Sequence, residues 1–158
     1  GGKSGEPAVL DGQDLRPIGD LSGAFLTAVS LRNACLAGMN LGRIALQGAL
    51  LDGADLRGVN LRGADLRGAN LSGANLGQAD LRQSLLSPLP FKADREKITD
   101  LTGASLRYAD LRDADLTDTD LSTADLHGAR RTLFVPAIVP ATAERVAPSD
   151  NGAFVLDM

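Results

Sequence analysis

Residues 54 to 68 read Ala54-Asp55-Leu56-Arg57-Gly58, Val59-Asn60-Leu61-Arg62-Gly63, Ala64-Asp65-Leu66-Arg67-Gly68, one five-residue phrase written three times. Reading outward, Leu holds every fifth position from Leu21 to Leu86 and again from Leu101 to Leu126, twenty leucines in one register. Two residues before Leu stands something small or apolar, such as Ala24, Val29, Ala34, Met39, Ile44 or Ala79. Asp or Asn directly precedes Leu in thirteen of the twenty repeats, and Gly stands two residues after it in ten.

A period of five suits neither regular element. On an α-helix five residues advance about 500°, so successive leucines fall about 140° apart and form no stripe. On a flat strand an odd step sends alternate leucines to opposite faces. Leucines that stay in phase therefore need a chain that turns once per repeat. Gly supplies the backbone freedom for the turn. Asp or Asn supplies a side chain that hydrogen-bonds nearby backbone and favours the turn. The spacing of two between the small residue and Leu points both inward. A fixed short period of this kind marks a solenoid.

The composition agrees. Aromatic residues make up 3 % of the 158 positions and Trp is absent, so Leu and Ala fill the core that aromatics usually dominate. The formal net charge of -4 lacks the basic surplus of a nucleic-acid binder, and direct nucleic-acid binding is not expected. No apolar run reaches membrane-spanning length. Cys35 is the single cysteine, which excludes an internal disulfide. With no visible signal peptide, it points to a reducing, cytoplasmic setting.

Segments such as Ala54-Asp55-Leu56-Arg57-Gly58 and Ala69-Asn70-Leu71-Ser72-Gly73 resemble the pentapeptide-repeat family, whose repeat is written A(D/N)LXX. The resemblance covers residues 19 to 128 with one break. It implies an all-β solenoid, a right-handed four-sided parallel β-helix with four repeats per coil and about five coils. The residues alone do not decide between three sides and four.

The expected organisation is an N-terminal extension or cap over 1–18, the β-helix over 19–130 with a loop at 87–100, and a C-terminal cap and tail over 131–158. Asp14-Leu15 and Asp20-Leu21 lie six apart, so the register slips near Pro17. Leu86 and Leu101 are fifteen apart, which is three repeats. Either degenerate repeats stay in the coil between them, with Phe91 in a Leu slot, or the segment bulges out. The bulge is favoured, because Glu96 would be costly to bury and Pro88 and Pro90 remove ladder donors. After Gly128 the run Leu133 to Pro140 is apolar and punctuated by proline; it is expected to close the open end, with Phe134 as the plug. Thr142 to Val146 reads as a short helical turn and Ser149 to Met158 as a tail. The runner-up for this segment is a self-association surface, making a homodimer through the C-terminal end.

Nothing in the sequence assembles a catalytic constellation. His127 is the only histidine and stands in an outward slot. No Cys or His cluster has metal-ligand spacing, no Gly-Lys-Ser/Thr follows the Gly-x-x-x-x-Gly spacings, and no cofactor is expected. Asp55, Asp65, Asp80, Asp110, Asp115, Asp120 and Asp125 could look like paired acids, but all seven occupy the turn slot directly before Leu. Phe25, Leu50 and Leu85 are apolar in outward slots. The expected function is a non-catalytic scaffold or protein–protein interaction module with an unidentified protein partner. The candidate partner-binding residues are Pro88, Phe91, Lys92, Arg95 and Lys97 of the break, on the ground that binding residues concentrate on loops held by rigid scaffolds. Arg57, Arg62 and Arg67 join them as equivalent slots of consecutive repeats, a contact ring for an acidic partner. The alternative comes from the family: some pentapeptide-repeat proteins resemble duplex DNA and protect DNA gyrase, so this chain would bind a type II topoisomerase and shield it from quinolones.

Overall fold

The computed structural model describes residues 6–91, 95–132, 144–145 and 153–157. From Asp20 to Asp65 the residue before each Leu forms a parallel bridge to the residue twenty positions on. Asp20, Asn40, Asn60 and Asp80 climb one side in this way, and Phe25, Ala45, Asp65 and Leu85 the next. Ser30, Leu50 and Asn70 form the third side, and Cys35, Asp55 and Asn75 the fourth. Twenty residues are four repeats, so the coil has four sides and is a right-handed parallel β-helix.

One repeat shows how the coil closes. Asp65 N–H donates to the Ile44 carbonyl below at 2.9 Å, and Leu66 N–H donates to the Leu85 carbonyl above at 2.8 Å. Ala69 N–H then returns to the Leu66 carbonyl at 3.0 Å and completes a four-residue turn. The third turn residue has positive φ, which glycine adopts without steric cost. That slot is left-handed at eighteen of the twenty repeats, ten with Gly and eight with other residues, including Arg43, Gln78, Gln83 and Tyr108. Inside, Leu56, Leu61 and Leu66 alternate with Ala54, Val59 and Ala64, all without exposure. Burying each Leu is worth roughly 1.5–3 kcal/mol.

The coil begins before the regular repeat. Val9 bridges to Ser30 and Asp14 to Cys35, each twenty-one residues on. The surplus residue is absorbed by a 3-10 turn over Arg16–Ile18, with Pro17 at its start and Gly19 at φ 75°. This first rung leaves Leu10, Leu21, Ala24 and Leu26 only partly covered.

Part of the break expected at 87–100 leaves the coil, while Thr99 and Asp100 have already rejoined it. Asp65 bridges to Leu85 as usual, but the next rung pairs Asn70 with Asp100, thirty residues on, and Asn75 with Ser105. Ten residues are thereby extruded, and Leu101 takes the corner after Leu86. Pro88 explains the exit. It stands in the slot that is left-handed in eighteen of the turns, where its ring fixes φ negative, and it lacks the N–H that this slot donates to the next coil, as Gly63 does to the Arg82 carbonyl. The extruded chain forms a hairpin, β1 (Leu89–Phe91) antiparallel to β2 (Arg95–Lys97). Glu96, opposite Pro90, is exposed.

At the far end β3 (Asp110–Leu111) lies parallel to β4 (Arg130–Thr132). Arg131 pairs with Leu111 and so stands in a Leu slot. The expectations for the last residues need correction. Glu144–Arg145, read as part of a helical turn, forms strand β5, and Ala153–Asp157, read as tail, forms strand β6. β6 runs antiparallel along β4, with β5 antiparallel on its other edge. The physical reason is the free edge of the last rung, which pairs an added strand rather than leaving its backbone groups open. Phe134, expected as the plug, lies outside the described residues.

The inside and outside assignments make a direct test. Leu66→Asp is expected to abolish cooperative folding, and Leu66→Ala to cost about 2–5 kcal/mol. Arg67→Ala is expected to cost no more than about 1 kcal/mol. Urea unfolding followed by circular dichroism measures all three.

Candidate interaction site

The hairpin is folded down onto the coil. A Cβ at Gly68 would lie 2.9 Å from the Lys97 carbonyl and 3.0 Å from Leu89 Cβ, so the hairpin backbone rests where a side chain would stand. Lys97 Nζ reaches the next rung and donates to the Gly48 carbonyl at 3.0 Å. Thr99 seals the root. In a regular rung the N–H two residues after Leu finds a carbonyl above, as Gly63 N–H finds Arg82 at 2.9 Å. Gly68 instead donates to Thr99 Oγ1 at 2.9 Å, and the same hydroxyl donates to the Leu66 carbonyl at 3.2 Å. Thr99 is 3 % exposed and fills the small-residue slot two before Leu101. Its hydroxyl replaces the carbonyl that Gly68 N–H would otherwise find above, a donor that would cost about 1–3 kcal/mol if left buried and unpaired. Beside this root lies a depression of about 510 Å³ lined by Glu96, Lys97, Ile98, Asp100, Thr102 and Asp120. Ile98, 63 % exposed, is its apolar element.

The arginines carry a second pattern. In the sequence Asp-Leu-Arg, Asp Oδ1 accepts the backbone N–H two residues on, and the carboxylate also grips that residue's guanidinium. Asp55 holds Arg57 at 2.8 and 2.6 Å, Asp65 holds Arg67 at 2.9 and 2.6 Å, and Asp80 holds Arg82 at 2.8 and 2.6 Å. Asp14–Arg16 and Asp110–Arg112 repeat the clasp. Hydrogen bonds from Arg16 hold the Asp14 carboxyl down at about 2. Those from Arg57 and Arg82 depress Asp55 and Asp80 in the same way. At Asp65 burial pulls the other way, but the Arg67 hydrogen bonds outweigh it and the carboxyl stays low.

The structure places Lys97 in the hairpin with the backbones of Phe91 and Arg95, and Pro88 directly before its first strand. Lys92 lies outside the described residues. Arg57, Arg62 and Arg67 stand on three successive sides. Arg57 and Arg67 are clasped by aspartates, whereas Arg62 follows Asn60, donates to Gln83 Oε1 at 3.3 Å, and through its charge adds to the lowering of the Asp80 carboxyl. Sequence reasoning missed Thr99, Gly48 and Gly68. The signal was present, since Thr99 interrupts the small-residue column where the insertion ends. His127 is partly covered by Tyr108, ring edge to ring face at 5.3 Å between centroids. Cys35 is half-buried with its Sγ 4.0 Å from Asp55 Oδ2. Among the described residues no group of His, Cys, Asp and Glu is arranged to hold a metal ion, and no helix is long and apolar enough to cross a membrane.

Leu-centred turns stacked four to a coil, with an ion-paired exterior and one docked hairpin, define a right-handed β-helical solenoid. The chain belongs to the pentapeptide-repeat family: eight copies of the pentapeptide-repeat model match residues 45–83 and 99–130. Among solved structures it is similar to full-length QnrB1, a plasmid-mediated fluoroquinolone resistance protein, at 19 % identity and a TM-score of 0.52, covering 77 % of this chain and 69 % of that one. A pentapeptide repeat protein of the Arabidopsis thaliana thylakoid lumen is 28 % identical over 75 % of this chain and 77 % of its own, with a TM-score of 0.34. HetL, involved in heterocyst differentiation regulation in the cyanobacterium Nostoc, is 22 % identical over 87 % and 90 %, with a TM-score of 0.23. The first of these supports the fold alone. No curated protein sequence matches the chain.

The docked hairpin and the clasped carboxylates each make a test. Gly68→Ala and Gly58→Ala both place Ala at positive φ, but only Gly68 has the hairpin above it. Gly58→Ala is expected to cost about 1 kcal/mol and Gly68→Ala clearly more, with protease cleavage at Lys92 or Arg95 accelerated only in Gly68→Ala. The clasped carboxylates set the acid limit. A carboxyl depressed in the folded state stabilises fully above its unfolded pKa of about 4 and loses that contribution as pH falls through the folded value. With Asp14 at about 2, Tm is expected to stay level from neutral pH down to pH ~4 and to fall from there towards pH 2. Differential scanning calorimetry across that range checks it, and a fall that begins above pH ~5 would assign acid sensitivity to other groups.

Proposed function

We propose that this protein is a non-catalytic scaffold that presents the docked hairpin and the adjoining coil surface to a protein partner. The observation that carries this reading is the hairpin. A pentapeptide coil needs no insertion, yet ten residues leave it here and are held against it by Gly68, Gly48 and Thr99. Ile98 and the depression at the root give that element an apolar contact point with a polar surround, the composition of a protein-binding site. Family members are in general structural or interaction modules, in keeping with this.

A duplex-DNA mimic acting on DNA gyrase is the second reading, supported by the columns of Asp and Asn on the sides of the rod. QnrB1 lends it the shared fold only. Five of the aspartates are clasped by arginines of this chain, so the columns present far less negative charge than their sequence suggests. The scaffold reading stands first for that reason.

Removing residues 88–97 and introducing Ile98→Gly would leave Leu86 and Ser87 followed by a glycine and then Thr99-Asp100-Leu101, a regular repeat. This variant is expected to keep its circular dichroism and cooperative melting while losing partner capture from the native source. Capture unchanged from the unmodified chain excludes the hairpin as the binding element. A gyrase supercoiling titration with and without a fluoroquinolone separates the second reading, which no effect at micromolar protein removes.

A further inference from the structure

The corner between the Asn60 side and the Asp65 side departs from the charge pattern of the rest of the rod. Elsewhere an arginine that follows Asp-Leu is neutralised by that Asp. Here the side carries Asn40 and Asn60 on two consecutive rungs, and the arginines at that corner are Arg43 and Arg62. Asn60 Oδ1 accepts Arg62 N–H at 3.0 Å, as an Asp would, but takes no guanidinium hydrogen bond. The two amides are spent on each other, with Asn60 Nδ2 donating to Asn40 Oδ1 at 2.8 Å. Arg43 is exposed and its guanidinium has no ion-pair or hydrogen-bond partner among the described residues. It is also one of the non-glycine residues held at positive φ, 56°, in a slot that favours Gly. Its side chain lies across Gly63, where a Cβ would come within 3.4 Å of Arg43 Cγ. Arg43 and Arg62 line a depression of about 440 Å³ with Ser22, Gly42, Asn60 and Gln83. One step round the coil, Phe25 bridges to Ala45, two residues from Arg43, and is 89 % exposed.

We propose that this corner binds a short acidic segment of a protein partner, with one Asp or Glu side chain between Arg43 and Arg62 and a neighbouring apolar side chain against Phe25. The size of the patch selects this ligand. Asp20 and Asp80 stand one rung below and one above the two Asn rungs, so the positive strip is two rungs tall, about 10 Å. A nucleic-acid backbone running along the rod would pass over both carboxylates, whereas a single carboxylate between Arg43 and Arg62 faces only Asp80, which Arg62 and Arg82 already offset. Guanidinium groups pair with carboxylates through parallel hydrogen bonds, and an exposed aromatic beside them is the composition that anchors a protein contact. The proposal rests on the scaffold reading but uses a surface distinct from the hairpin.

The test is selection of a displayed random short-peptide library on the folded protein at low salt, followed by affinity measurement of the selected peptides by fluorescence anisotropy. The expected peptides have Asp or Glu beside an apolar residue. The Arg43→Gln/Arg62→Gln double variant is expected to bind them about tenfold or more weakly, and Phe25→Ser roughly threefold. Gln already occupies the left-handed slot at Gln78 and Gln83, so the double variant is expected to fold, and its melting curve confirms that. Selected peptides without acidic residues, or equal affinity for the double variant, overturn the proposal. Displacement by millimolar inorganic phosphate as complete as by unlabelled peptide overturns it too, because the corner is then a general anion spot. If binding survives the double variant but is lost with the hairpin, the proposal fails and the scaffold reading stands. Enrichment of no peptide at all counts against both.

Discussion

Leu46, Leu66 and Leu86 stand one above another, because Leu46 N–H donates to the Asp65 carbonyl and Leu66 N–H to the Leu85 carbonyl, each at 2.8 Å. That backbone bond fixes the rung spacing at about 4.8 Å, and the spacing leaves room inside for one Leu and one small residue per repeat. Every other feature answers to that limit. Turn chemistry has to lie outside, so Asp, Asn and Gly line the corners. A polar group in the small-residue column has to find its partner in the backbone at once, as the Ser84 hydroxyl does with the Leu81 carbonyl at 2.7 Å. Pro88, which can neither take the left-handed conformation nor donate to the next coil, stands where the chain leaves it.

Much of this is legible in the sequence. The in-phase leucines mark the inside and outside of the coil, and Pro88, Pro90 and Glu96 mark the extrusion. The four sides do not follow from a period of five; they become visible only as bridges between residues twenty apart. The continuation of the coil below Leu21 is hidden because Leu10 and Leu15 are out of register with the later leucines, the surplus residue sitting in the Arg16–Ile18 turn. Strands β5 and β6 escape a reading of the sequence because their formation depends on the free edge of β4 rather than on any period of their own. The arginines look like one ring. What separates them is a single atom-level distinction, Asp against Asn two residues earlier, which decides whether the guanidinium is clasped.

That distinction bears on function. A rod whose arginines and aspartates neutralise each other within a repeat offers little long-range charge, and exposed pairs of this kind add little stability. Recognition then falls to the irregular places: the hairpin held over Gly48 and Gly68, and the corner where Asn40 and Asn60 leave Arg43 and Arg62 without a carboxylate clasp. The two lie at neighbouring corners, on either side of the face that carries Phe25, Ala45, Asp65 and Leu85. A partner that used both would be read by shape at one corner and by charge at the other.

The central claim is that the coil resumes in register across the insertion. Native-state hydrogen exchange followed residue by residue tests it most directly. Leu71 N–H donates to the Asp100 carbonyl and Leu76 N–H to the Ser105 carbonyl, both at 2.7 Å and both across the break, whereas Leu61 N–H donates to Asp80 at 2.8 Å below it. The account predicts that Leu71 and Leu76 exchange as slowly as Leu61 and Leu66, through the same global opening, while the amides of the hairpin exchange through a separate, easier one. Leu71 and Leu76 exchanging as fast as the hairpin would contradict it, because the rungs on the two sides of the insertion would then not form one coil.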